Sequence, residues 1–270
     1  MDINRALYIS QEISPYLPAT PMSTKSRNLA QGIQESGVEV RTFMPRYGSI
    51  NERRNQLHEV IRLSGLNLVI DDTDHPLIIK VATLQPSRMQ VYFIDSDDYF
   101  LRHTSKGLET EVDPSENDER LMFYARGVIE TAKKLRWTPD IIHCAGWISS
   151  LIPLYLHKTY SNDPTVRDAK VIYSIFDSKM PEGLGERALE KLKMDAFTDK
   201  DLKAFKGLDS IDTAALHRIA IDYADAIVQA SENIDPEILE YAKASGKPFL
   251  TYQPDDETMA AKYLEFYKTL

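Results

Sequence analysis

Two short apolar runs, Ala6 to Ser10 and Val38 to Met44, flank a segment whose apolar residues Met22, Leu29 and Ile33 fall at helical spacing and which closes at Gly37. A strand, a helix ended by glycine and a second strand make a βαβ unit, and that unit commits the chain to a parallel sheet with a right-handed crossover. Ser23 or Thr24 supplies the expected helix cap. The pattern then changes. Strand candidates follow closely at Val60 to Leu63, Leu66 to Ile70, Leu77 to Thr83 and Met89 to Ile94, which predicts an added meander.

From Asn117 the period is helical again, with Leu121, Tyr124, Ala125, Val128, Ile129 and Ala132 on one face until Trp137-Thr138-Pro139. The alternation resumes with a strand at Asp140 to Cys144, a helix over Ile148 to Tyr160 and a strand at Lys170 to Phe176. A helix ending over Leu216 to Tyr223 and a strand at Asp225 to Gln229 follow, and surface helices are expected in the charged stretch Pro181 to Asp209. The predicted fold is α/β, a doubly wound and mainly parallel sheet with its working surface at the carboxyl ends of the strands. A terminal helix is expected over Thr258 to Leu270, behind the breaker stretch Gln253-Pro254-Asp255-Asp256.

The 270 residues carry 32 basic and 41 acidic side chains, a net charge of −9. That balance argues against general nucleic-acid binding, which calls for a basic face. One cysteine, Cys144, excludes a disulfide framework and a thiolate zinc site. No basic, apolar and small-residue leader opens the chain, and no apolar run reaches the ~20 residues that cross a bilayer. A soluble cytoplasmic protein without a membrane partner is expected.

Candidate chemistry sits at strand ends. Lys25 and Arg27, beside the first helix N-terminus, suit a phosphate, although an ordinary capped helix with two solvated cations also accounts for them. The stretch Ser10 to Asn28 has no glycine, so neither a dinucleotide fingerprint nor a P-loop is present. His143 and Trp147 can face a cleft in which a sugar packs on the indole; the alternative is a core histidine and a buried ring. Asp177 ends the next strand, where it accepts hydroxyl hydrogen bonds or caps a helix. His75 and His103 lie beside acids at spacings that define no metal site, and no cofactor is implied. Asp71 to Asp74 and Asp95 to Asp98 read as turns. Cys144 and His143, adjacent on a strand, face opposite ways and make a poor nucleophile pair.

These pieces resemble, in order, the glycogen and bacterial starch synthases, nucleotide-sugar glucosyltransferases of the GT-B fold. Ser10-Gln11-Glu12-Ile13-Ser14-Pro15 is similar to the family's S-E-x-x-P opening, and Gly37 to Pro45 to its G-V-x-x-x-x-x-x-P strand. Val91 to Asp95 with Asp98 to Arg102 resembles the Y-F-x-R region, and Glu116 to Leu121 the D-N-x-x-R-F helix start. Pro139 to Trp147 resembles P-D-V-V-H-x-H-D-W, and Tyr223 to Ser231 resembles Y-A-D-x-I-x-x-x-S.

The resemblance implies the Rossmann-like N-terminal half of a GT-B protein over residues 1–252, with residues 253–270 as a closing helix packed back on it. It implies Glu12, His143 and Trp147 as substrate-binding positions; Asp177, at its strand end, is a further substrate-binding candidate, and Lys25 and Arg27, beside the helix N-terminus, are the phosphate-binding candidates. Departures fall on functional motifs. Pro18 to Pro21 stands where the family has K-T-G-G, Ala145-Gly146 where it has H-D, and Phe176-Asp177 where it has H-N. The expectation is a non-catalytic relative, with no catalytic residue assigned, that binds α-glucan or a protein partner. The alternative is an active ADP-glucose-dependent α-1,4-glucosyltransferase completed by a second chain.

Overall fold

Alternation in the sequence becomes alternation of layers. In the computed structural model, which describes residues 2–101 and 116–270, strand β1 (Arg5–Ser10) lies in the middle of a ten-stranded mixed sheet. It pairs in parallel with β2 (Glu39–Pro45) on one side and β7 (Ile141–Ala145) on the other. Beyond β7 come β8 (Lys170–Ile175), β9 (Ala226–Gln229) and β10 (Phe249–Leu250), all parallel. Beyond β2 come parallel β6 (Met89–Asp95) and then antiparallel β5 (Thr73–Leu84), against which β3 (His58–Glu59) and β4 (Leu66–Ile70) pair. The chain thus reverses direction across the sheet between β1 and β7, and a crevice at their carboxyl ends follows from that topology. β1, β7 and β8 are buried almost throughout, as strands covered on both faces must be.

Helix α1 (Pro21–Glu35) starts one turn earlier than its capping candidates suggest. Thr20 is the N-cap, its hydroxyl accepting from the Ser23 amide at 3.0 Å while the Ser23 hydroxyl accepts from the Thr20 amide at 2.9 Å. Pro21 takes the first helical position, where no amide hydrogen is needed. α2 (Asn117–Leu135) returns the chain across the sheet. The helix expected from Ile148 is much shorter: α3 covers only Ile152–His157, because Pro153 lacks an amide hydrogen and sits at a helix start, leaving a single 3-10 turn before it. Val60 to Leu63 forms a turn rather than a strand, with the Leu63 amide bonded back to the Val60 carbonyl ahead of Gly65 at positive φ.

The charged stretch contributes α4 (Ala188–Met194) and a 3-10 turn, and its sparse apolar residues, Leu192, Phe197, Leu202 and Phe205 among them, are buried. α5 (Thr213–Tyr223), α6 (Pro236–Ala244) and α7 (Met259–Lys268) complete the fold. α7 packs on α1 at close range: a Cβ on Gly32 would stand 2.6 Å from the Ala260 Cβ, so only glycine admits this crossing. Met259, Tyr263 and Tyr267 form the buried face of α7.

Candidate functional site

Where β1 ends, the Gln11 amide still bonds the Ala145 carbonyl at 3.1 Å, so Glu12 is the first residue released from the sheet. It is released into a buried position beside the α1 cap, where the Thr20 hydroxyl donates to Oε1 and Oε2 has no partner. Burial raises the Glu12 pKa above the ordinary carboxylate value, against the opposing pull of the Thr20 hydroxyl and the Ser23 amide. Glu12 lines a cavity of about 540 Å³ at the carboxyl ends of β1, β8 and β9. Thr20, Lys25, Phe176, Asp177, Tyr252 and Asp255 also form its wall.

Lys25 enters this wall from α1 and is 5% exposed. Its ammonium donates to the Ala230 carbonyl at 2.6 Å and the Gln253 carbonyl at 2.7 Å, and lies 4.3 Å from the Tyr252 ring centroid. Burial lowers its pKa to about 8, with Asp255 acting the other way. Lys25 is therefore a tie between α1, the end of β9 and the segment entering α7. Arg27 is half-buried, does not line the cavity, and places its charge by Tyr16. The two cations read together from sequence are thus separated. Asp177 is exposed at the rim, its amide donating to the Ser231 hydroxyl at 2.9 Å.

His143 and Trp147 lie elsewhere than the cleft-facing reading places them. The His143 side chain sits behind the cavity, with Nδ1 2.6 Å from the Tyr267 hydroxyl and Nε2 2.6 Å from the Ser174 hydroxyl. Tyr8 stacks on the ring at a centroid distance of 5.2 Å. Burial lowers its pKa to about 3, so the imidazole is neutral at pH 7. Trp147 is 1% exposed and lines none of the cavity, because the turn it opens tucks the indole inward; its Nε1 has no partner. A sugar face cannot reach it in this conformation.

Gly146 has φ +85°, and a Cβ there would stand 2.7 Å from Gln11 Oε1. Gln11 is fully buried with neither amide atom bonded, so it fills the space that a side chain at 146 would take. Burial also raises the Cys144 pKa, which keeps it a thiol.

His75 bonds Asp98 at 2.7 Å and Tyr99 at 3.0 Å, and among the described residues no group of three or more His, Cys, Asp or Glu side chains is placed to hold a metal. His103 and Arg102 lie outside the described residues. Asp71 and Asp72 form the β4–β5 turn at positive φ, and Asp95 ends β6 in an ion pair with Lys80 at 2.8 Å. Tyr252 and Asp255 were not legible as site residues, since nothing local marks them and only the return of the chain toward α7 brings them to Glu12.

The parallel sheet, its flanking helices and a crevice at the switch point define a Rossmann-like domain of the GT-B glycosyltransferase type. The family model described as starch synthase catalytic domain matches residues 5–248, and the chain belongs to that family. A glycogen synthase of Chlorobium limicola is 33% identical over 233 residues, covering 83% of this chain and 47% of the relative. One of Pelodictyon phaeoclathratiforme is 36% identical over 192 residues, covering 70% and 39%. The catalytic domain of starch synthase IV from Arabidopsis thaliana, solved with ADP and acarbose, shares the fold with a TM-score of 0.74 at 15% identity, covering 96% of this chain and 52% of that one. The chain spans about half the length of the curated relatives it matches. Among the described residues no helix is long and apolar enough to cross a membrane.

Proposed function

We propose that this domain binds α-glucan in the cavity beside Glu12 and does not by itself transfer glucose. One observation carries the reading: four carboxylates, Glu12, Asp177, Glu232 and Asp255, line the cavity against one ammonium, that of Lys25. Both carbonyls that Lys25 serves would lose their donor if it turned to a ligand. An acidic cavity repels the diphosphate of a nucleotide sugar. It suits a neutral polyol, whose hydroxyls donate to carboxylates while its apolar face rests on Phe176 and Tyr252. Transfer needs preorganised positive charge around the departing diphosphate, and this wall lacks it.

A second reading, ADP-glucose-dependent α-1,4-glucosyl transfer with the diphosphate site supplied by a second chain, has the N-terminus of α1 at the cavity in its favour. In either reading residues 1–252 are the binding domain and residues 253–270 the strap that completes its wall, and the protein works in the cytoplasm. The test is glucosyl transfer from ADP-glucose to glycogen at near-stoichiometric protein concentration. The expected result is no transfer above the buffer control from folded protein. Sustained transfer would favour the second reading.

A further inference from the structure

Away from the cavity, Asp98, His75, Tyr99, Glu119, Lys191 and Asp118 form one continuous hydrogen-bonded line. His75 on β5 presents Nδ1 to Asp98 Oδ2, in the turn after β6, at 2.7 Å, and Nε2 to the Tyr99 hydroxyl at 3.0 Å. That hydroxyl donates to Glu119 Oε2 of α2 at 2.8 Å. Lys191 of α4 donates to Glu119 Oε1 at 2.6 Å and to Asp118 Oδ2 at 2.8 Å. His75, Tyr99, Asp118 and Lys191 are buried, whereas the Asp98 side chain is 45% exposed.

Counting protons along this line assigns a state to His75. Burial and the bond to Glu119 raise the Tyr99 pKa, so the hydroxyl keeps its single proton. Burial alone would lower the Lys191 pKa, but the bonds to Asp118 and Glu119 more than reverse this, and an ammonium faces Glu119. A carboxylate only accepts, so the Tyr99 proton lies on the Glu119 side and the tyrosine oxygen accepts from His75 Nε2. Asp98 also only accepts, so Nδ1 must donate as well. Every bond in the line is made only when both ring nitrogens carry a proton. A neutral imidazole has one, and then either Nδ1 meets Asp98 or the Tyr99 oxygen meets Glu119 with no proton between them.

The other charged groups around the line do not supply the missing donor. Arg120 Nε donates to the Tyr99 carbonyl at 2.8 Å, and Glu116, just before α2, adds a negative charge near Tyr99. Asp74 is adjacent to His75 on β5 and points to the other face, and Leu68, opposite His75 on β4, is uncharged.

We propose that this line is a proton-operated clamp: with both His75 nitrogens protonated it ties the β4–β5 hairpin to α2 and α4, and loss of one proton opens one of its bonds. Among the described strands β4 pairs only with β5, so the hairpin relies on side-chain ties to the rest of the fold. Two of these, Arg126 to the Val69 carbonyl and Arg187 to Asp71, use guanidinium groups that stay charged at any pH of interest. The hairpin therefore loosens on deprotonation without detaching. The device is independent of what the cavity binds.

Hydrogen–deuterium exchange of the full chain at pH 6 and pH 8.5 tests this, with protection factors of residues 66–77 taken relative to those of β1 and β7. The ratio removes changes in global stability. In the wild type it is expected to fall about tenfold at pH 8.5, the worth of one hydrogen bond to a charged group. Asp98→Asn should hold the ratio constant, because its amide donates to an unprotonated Nδ1 while Nε2–H still serves Tyr99. His75→Gln, which has no titrating group, should give a ratio independent of pH and below the wild-type value at pH 6. A wild-type ratio that does not change with pH would overturn the clamp, as would a fall that persists in full in Asp98→Asn or His75→Gln.

Discussion

The Tyr267 hydroxyl on α7 stands 2.6 Å from His143 Nδ1 on β7 and 3.0 Å from the Tyr8 hydroxyl on β1. A residue near the end of the chain therefore completes the polar core of the two central strands. Tyr267→Phe removes that hydroxyl and leaves two buried groups without a partner. The expected cost is about 1–3 kcal/mol in denaturant unfolding. Deleting residues 256–270 should cost more, since it also exposes the surface covered by Met259 and Tyr263. An unchanged melting temperature in the deletion would show that α7 is not part of the folded core.

His143 and His217 are both held neutral by burial, at about 3 and about 4 against an ordinary 6.5. An unfolded chain takes up protons below pH 6.5 that the folded chain refuses. The stability these two groups contribute is thus complete above that pH and is lost as pH falls toward 4, at about 1.4 kcal/mol per pH unit for each histidine. Denaturant midpoints measured from pH 7 to pH 4 should fall, and His143→Gln should flatten the fall by roughly half. A histidine variant with the wild-type pH profile would contradict this.

Lys25 runs in the opposite part of the scale. Its folded pKa is about 8 against an ordinary 10.5, so between those values the unfolded chain holds the proton that the folded one has released. Stability from this group therefore rises as pH climbs from 8 to 10.5. Lys25→Met should lose about 2 kcal/mol at pH 7 through two orphaned carbonyls. It should also lack the alkaline rise seen in the wild type. Paired unfolding curves at pH 7 and pH 9.5 read both effects.

Trp147 and Tyr252 separate packing from binding. Trp147→Ala should cost about 3–5 kcal/mol as a core truncation, while Trp147→Phe should keep glucan affinity because the ring does not line the cavity. Tyr252→Ala should weaken maltohexaose binding about tenfold with little loss of stability, since the ring is half-buried at the cavity wall. Titration and thermal melts of the three variants distinguish the roles. Loss of affinity in a folded Trp147→Phe would return the indole to the site.

The parallel sheet was legible because its strands announce themselves locally, as apolar runs ended by Gly37 or bounded by Pro139 and Asp140. The family was legible because its motifs occur in order. The site was legible only in part. Glu12, Lys25 and Asp177, singled out at strand and helix ends, do line the cavity there, Lys25 as a tie rather than a free cation. The union of Lys25 with Ala230 and Gln253, more than 200 residues apart, leaves no local signature. His143 was misplaced because strand position fixes depth, whereas the helix that covers it lies at the far end of the chain. Val60 to Leu63 failed as a strand because apolar composition alone does not register the turn that Gly65 imposes.

On the proposed reading, the acidic cavity beside Glu12 takes a neutral glucan in preference to a nucleotide diphosphate. Calorimetric titration of one preparation with maltohexaose and, separately, with ADP tests it most directly. Saturable heat from maltohexaose with none from ADP is the predicted result. Saturable ADP binding tighter than that of the glucan would overturn this preference.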